Sequence, residues 1–115
     1  MKIEVTEERD RDNDALVLVP VGSLDSGNAH SFESIVMEHV NNGERRLIVD
    51  FSRLHFVSSA GLRVFVIAAR ALRARKGQIV LCAMRNHVED VFRVSGIYRV
   101  IAIQESRAAA VDALG

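Results

Sequence analysis

The stretch RLIVDFSRLHFVSSAGLRVFVIAARALRARKG, Arg46 to Gly77, holds the transition on which the fold turns. Its first six residues are a dense β-branched and apolar run, the signature of a strand buried on both faces. Its second half places Leu62, Phe65, Val66, Ala69 and Leu72 at helical spacing, which predicts a core stripe on a helix from about Ser59 to Lys76, stopped at Gly77. Arg63, Arg70, Val64, Ile67 and Ala71 fall on the other side, where apolar residues beside arginines suggest a partner surface. Between strand and helix stands HFVSSAGLR, His55 to Arg63. Ser58 or Ser59 lies at the first helical positions, where a hydroxyl acting as N-cap contributes ~1 kcal/mol over alanine. A cap accounts for one serine. It does not account for two, nor for the small pair Ala60-Gly61 in a first turn where glycine costs ~1 kcal/mol of helix propensity. Small residues there would admit close approach by another surface. A phosphate on the exposed serine would meet free N–H groups and the positive end of the helix dipole.

Working outward, the same alternation of strand and helix continues. QIVLCA, Gln78 to Ala83, reads as a second buried strand, with Cys82 a small buried hydrophobe. HVEDVFRVSG, His87 to Gly96, reads as a short helix through Val88, Val91, Phe92 and Val94. Val100 to Ile103 gives a last short strand, and SRAAAVDAL a terminal helix capped by Ser106. Towards the N-terminus, Ile3 and Val5 alternate with polar residues, Arg9 to Asp14 is turn material, and ALVLVPVG, Ala15 to Gly22, is a strand whose end Pro20 places at a sheet edge or exit. Asp25 or Ser26 is positioned to cap a helix carrying Phe32, Ile35, Val36 and Val40, which Asn41-Asn42-Gly43 terminates. The order β-β-α-β-α-β-α-β-α predicts one α/β domain over residues 1–115. Its mixed sheet of four to five strands, an N-terminal hairpin plus parallel strands, carries about four helices.

Composition narrows the function. The 115 residues carry 15 basic and 15 acidic side chains and no net charge, so the excess of cations that nucleic-acid binding uses is missing. No apolar leader or membrane-spanning run stands out, and Cys82 is alone; a soluble cytoplasmic protein is the expectation. His30, His39, His55 and His87 have no helical metal-ligand spacing. Asp10 to Asp14 resembles the start of a calcium loop, but Ala15 stands where that loop needs glycine and Val21 where it needs glutamate. A hydrolytic triad from Ser59, His55 and Asp50 lacks the Gly-x-Ser-x-Gly elbow. The chain reads as a protein that is acted upon, not as an enzyme.

The run from LIVDFSRLHFVSSAGLR through HVEDVFRVSGIYRVIAI, with the early hairpin and the helix entry VPVGSLDSGNAHSFE, resembles STAS domains, specifically bacterial anti-sigma factor antagonists. In that family a buried strand leads to an aspartate-serine-serine-glycine-leucine motif whose first serine is phosphorylated. Aligned on Phe56, Gly61 and Leu62, the resemblance makes Ser59 the phosphoacceptor, with Ser58 the second choice. Ser58 stands in the place of the aspartate, Ala60 in that of the second serine, and Asp25 at an acidic position beside the switch. The implied partners are an anti-sigma factor with serine kinase activity and a serine phosphatase, on a binding edge of Asp25, Ser52, Arg53, His55, Phe56, Ser58, Ser59, Arg63 and Ile67. ATP–Mg would belong to the kinase, and no cofactor, nucleic acid or membrane contact is expected for this chain, a monomer or weak dimer. The alternative within the resemblance is a STAS module that binds without phosphorylation, such as a subunit of a lipid-transport complex or a scaffold.

Overall fold

The computed structural model describes residues 2–114. A hairpin of β1 (Glu4–Asp10) and β2 (Ala15–Leu24) is followed by α1 (Ala29–Asn41), β3 (Arg46–Asp50) and β4 (Leu54–Val57). Then come α2 (Ser59–Ala74), β5 (Gln78–Cys82), α3 (Asn86–Ser95), a 3-10 turn at Ile97–Arg99, β6 (Ala102–Gln104) and α4 (Arg107–Ala113). The sheet runs β1-β2-β3-β5-β6, with β1 antiparallel to β2 and the remaining pairs parallel.

Strand β4 is an addition to the sequence reading, which took Ser52 to Val57 as a crossing. It pairs in parallel with the far end of β2, Gly22 against Leu54 and Leu24 against Val57. Two successive partners therefore share one long strand: Leu16 to Leu18 pair with β3, and Gly22 to Leu24 with β4. Pro20 does not place the end of β2 at a sheet edge, as its sequence position suggested; β2 runs on to Leu24 and pairs on both sides. The proline lies buried in the gap between these two ladders, where a missing N–H removes no hydrogen bond to either. Gly22, at φ +99°, supplies the irregularity at which β2 turns from one partner to the other.

Strand alternation sorts the core into two layers. Leu16, Leu18, Leu47, Val49, Ile79 and Leu81 face α1, α2 and α3, while Ala15, Val17, Val19, Ile48, Val80 and Cys82 face α4. The first layer is keyed by four fully buried rings. Phe65 of α2 lies 5.2 Å from Phe51, 5.7 Å from Phe32 and 5.8 Å from Phe92, centroid to centroid, and Phe51 meets Phe92 edge-on at 5.4 Å. The Cys82 thiol is buried in the second layer, and its burial, with the Asp50 carboxylate near it, pushes its pKa up to about 11.

The helix ends follow local chemistry. Ser106 accepts from the Ala109 N–H at 3.1 Å, and Gly96 closes α3 in the left-handed conformation at φ +80°. For α1 the expected cap was Asp25 or Ser26. The N-cap is instead Asn28, whose side chain turns back to brace the preceding loop. Helix α2 ends at Ala74, ahead of Gly77, because Lys76 takes the left-handed position at φ +61°.

The buried face of α2 also differs from the periodicity estimate. Val64, Phe65, Ala68, Ala69 and Leu72 are buried, while Leu62 and Val66 are only half-buried. Val64, expected on the outer side, is a core residue. The helix lies against α1 as well as the sheet, and this second neighbour rotates the covered arc away from the face that apolar spacing alone defines.

Candidate functional site

The strand β4 and the first turn of α2 form one corner at the C-terminal edge of the parallel strands, where open α/β sheets place their functional loops. Ser58 is its pivot. Its N–H donates to the Leu24 carbonyl at 2.8 Å, and its Oγ accepts from the Gly61 N–H at 3.3 Å, so Ser58 is the N-cap of α2. Ser59 is then free of the capping role. It is the first helical residue and is exposed.

Gly61 has a different purpose from the one its size suggested. It is buried, and a Cβ built on it would sit 2.9 Å from Leu24 Cγ and 3.0 Å from Val57 Cγ1. The surface that approaches closely is the chain's own pair of strands, β2 and β4. Gly61→Ala should therefore lose ~1–2 kcal/mol in urea unfolding, because overpacking against two buried side chains outweighs the helix-propensity gain of ~1 kcal/mol. A more stable Gly61→Ala protein would refute this account of the glycine.

Asp25 joins the same corner through the backbone. It follows Leu24, whose carbonyl holds Ser58, and its own N–H donates to Asn28 Oδ1 at 2.9 Å. Its carboxylate accepts from the Gly27 N–H at 2.9 Å, and Asn28 Nδ2 reaches back to the Ser23 carbonyl at 2.8 Å. Asn28 is buried and shapes this loop, a role that its polar surroundings in the sequence did not signal.

The loop and strand from Ser52 to Phe56 are held from the α3 side. Arg85 donates to the Ser52 carbonyl at 3.3 Å, and the His87 ring nitrogen Nε2 donates to the His55 carbonyl at 2.5 Å. The Arg53 carbonyl accepts from the Gly22 N–H at 2.9 Å. Arg85 and His87 are positioning residues that only the tertiary structure brings to this loop. The side chains of Ser52, Arg53, His55 and Phe56 are all exposed, Phe56 at 51%.

Along α2 the outward line is short and well defined. At roughly 100° per residue, Ser59, Arg63, Val66 and Arg70 fall within roughly 60° of one another. Ile67 lies roughly 80° round from Ser59 and is half-buried, so it flanks this line. Ser58, Ser59, Asp25, the Ser52 to Phe56 segment and Arg63 thus share one edge of the molecule, with Ile67 at its margin.

Asp50 belongs elsewhere. Strand alternation sends it to the α4 face with Ile48, away from the layer that holds α2. There its Oδ2 accepts from Arg107 Nη2 at 2.8 Å, and its Oδ1 from the Ser52 N–H at 2.8 Å. Arg107 also donates to Glu8 Oε1 at 2.8 Å. Burial works to raise the Asp50 pKa, but the hydrogen bonds from Ser52 and the hydrogen bond and charge of Arg107 outweigh it and hold the carboxyl below its ordinary value. The carboxylate is an anchor for α4, not a partner for His55 and Ser59.

The mixed sheet with its four helices, and an exposed serine beside the helix cap where β4 meets α2, define a single small α/β domain with an open edge at that corner. The STAS domain profile matches residues 5–110, and the chain belongs to the STAS domain family, among the bacterial anti-sigma factor antagonists. It is 38% identical over 104 residues to BtrV of Bordetella bronchiseptica, described as an anti-sigma factor antagonist, covering 90% of each chain. It is 28% identical over 99 residues to the anti-sigma-B factor antagonist of Listeria monocytogenes, covering 85% of this chain and 86% of that one. A crystal structure of a Thermotoga maritima protein, also described as an anti-sigma factor antagonist, superposes with a TM-score of 0.89 at 22% identity, over 96% of this chain and 93% of that one.

Proposed function

We propose that the chain is a non-enzymatic partner-switching regulator that acts in the cytoplasm, with Ser59 as its phosphoacceptor. The observation that carries this reading is the division of labour between the two serines. Ser58 holds the helix cap, leaving Ser59 exposed at the first helical position. A phosphate there leaves the cap untouched, faces the positive end of the α2 dipole, and adds close to two negative charges to the outer edge.

Unphosphorylated, the chain docks on an anti-sigma factor that is also a serine kinase, and so frees a sigma factor or another regulator. The kinase, with its own ATP–Mg, transfers the γ-phosphoryl group to Ser59 Oγ. The hydroxyl proton departs and ADP is left. The new charge must then be desolvated against a surface fitted to a neutral hydroxyl, and the complex dissociates. A serine phosphatase hydrolyses the phosphoester and restores docking. Support comes from the family membership and from the convergence of Asp25, Ser58, Ser59 and Arg63 on one edge.

The test is incubation with ATP–Mg and the candidate kinase encoded beside the gene, followed by mapping of phosphate by mass spectrometry. Phosphate is expected on Ser59, none on Ser59→Ala, and loss of kinase binding in Ser59→Asp. No phosphate on Ser59 or Ser58, together with unchanged binding by both variants, overturns the switch. That outcome selects the second reading, a STAS module that binds without phosphorylation, which the replacement of the family aspartate by Ser58 and of the second serine by Ala60 favours.

A further inference from the structure

The zero net charge of the chain conceals a strong segregation. Residues 51–88 contain seven Lys and Arg (Arg53, Arg63, Arg70, Arg73, Arg75, Lys76 and Arg85) and no Asp or Glu. The segment folds so that Arg63 and Arg70 stand on the outward line of α2 that begins at Ser59. Both are exposed, and neither has an acidic partner among the described residues.

Beside this line lies a shallow, open apolar depression of about 400 Å³ between α2 and α3, lined by Leu62, Asp90, Val91, Val94 and Ser95. Val94 is 89% exposed and Val91 39%. The sequence reading put both on a helix with Val88 and Phe92. Only Val88 and Phe92 are buried, which leaves Val94 almost wholly and Val91 partly open to solvent. Scattered exposed apolar residues are ordinary, but these converge with Leu62, one turn from Ser59, on one shallow apolar surface.

We propose that the docking surface continues from Ser59 along α2 and across to α3, and that its occupant is an acidic amphipathic helix of the partner protein. Apolar residues of that helix would cover the depression at Leu62, Val91 and Val94. Its carboxylates would lie over Arg63 and Arg70. The choice of an acidic occupant follows from charge complementarity along α2, since Arg63 and Arg70 carry no acidic partner among the described residues. Asp90, the one carboxylate in the lining, stands on the α3 side, so the occupant's carboxylates belong on the α2 side. Its placement follows from continuity, since Leu62 and Arg63 border Ser59 itself. The inference rests on the partner-switching reading, and it explains the release step: a phosphate on Ser59 would set an anion at the end of a ridge built to attract one's carboxylates, opposing them directly.

The probe is a stapled helical peptide with leucines at i, i+3 and i+7 flanked by glutamates, and a twin with lysines for the glutamates. Each is titrated into the isotopically labelled full chain by NMR, with affinities by calorimetry at low and high salt. The glutamate peptide is expected to shift the amides of Leu62, Arg63, Val91 and Val94 saturably and to bind more weakly as salt rises. Val94→Glu or the pair Arg63→Glu, Arg70→Glu should weaken it roughly tenfold or more. Equal binding of the lysine peptide, shifts mapping elsewhere, or no saturable shift overturns the proposal. Kinase phosphorylation and peptide binding, read together, separate the two readings, with Ser59→Asp linking them. Weaker glutamate-peptide binding by that variant supports both. Phosphorylation of Ser59 by the kinase without any peptide binding overturns the acidic-helix surface while leaving the switch intact.

Discussion

Phe65→Ala is expected to remove ~3–5 kcal/mol of stability, the usual cost of truncating a fully buried ring. The ring touches three others, Phe32, Phe51 and Phe92, so that its loss opens a cavity among elements contributed by α1, the end of β3 and α3. A domain of this kind has ~5–15 kcal/mol in total, so the variant should melt far below the parent. Urea unfolding with an unchanged slope checks it, with Phe65→Leu as the companion, expected to lose much less because apolar volume is largely retained. A loss under ~1.5 kcal/mol for alanine would mean that the cluster collapses to fill the space, against the close packing described above. The effect has a functional side. Phe65 seats α2 on the sheet, and the same helix start fixes Ser59.

The second large effect lies on the opposite face. Arg107→Met should cost about 2 kcal/mol at neutral pH, because it leaves the Asp50 carboxylate buried with only the Ser52 bonds. The figure sits low in the range because Arg107 is itself 40% open to solvent. The pH dependence has a definite sign. Asp50 in the folded chain has a pKa below its ordinary value of 3.8, so the unfolded chain takes up this proton first as pH falls. Its contribution is fully present above about pH 5 and is lost as pH drops through the folded-state value. The gap between parent and Arg107→Met should therefore narrow between neutral pH and about pH 3, because the variant's unpaired carboxyl takes up its proton at higher pH than the parent's and is thereby relieved of its buried charge. Urea midpoints at the two pH values measure it. A gap that stays constant would show that Arg107 stabilises α4 by packing its stem, not by charge.

Much of the architecture was legible because local chemistry and global fold agree here. RLIVD alternates apolar side chains to both faces without a polar break until Asp50, and such a run is stable only between two helical layers. Gly96 after α3, Ser106 before α4 and the Asn41-Asn42-Gly43 stop each act within a few residues of chain, so sequence was enough. A serine cap at Ser58 or Ser59 was legible for the same reason. The mistakes share a different cause. Strand β4 has LHFV, too short and too mixed to announce itself, and exists because the end of β2 offers it a ladder. Pro20 pointed to a sheet edge or exit because the strand's change of partner at that point was invisible. Val64 was assigned outward because a helical wheel shows which residues are apolar, but not that α1 covers a second side of α2.

Ser59 and its neighbours show both sides of this division. The sequence by itself determined that two hydroxyls stand at a helix start after a buried strand, and that one of them caps it, since capping is a contact between residues three apart. Only the tertiary structure decided which purpose Gly61 serves, because Leu24 is 37 residues away in the chain and meets it across β2 and β4. Tertiary packing likewise decided that Asp50 anchors α4 through Arg107, and that Val91 and Val94 open onto the depression beside Leu62. Contacts within one turn are written in spacing. Contacts between layers depend on the angle at which helices settle on a sheet, and that angle is set by the whole core at once.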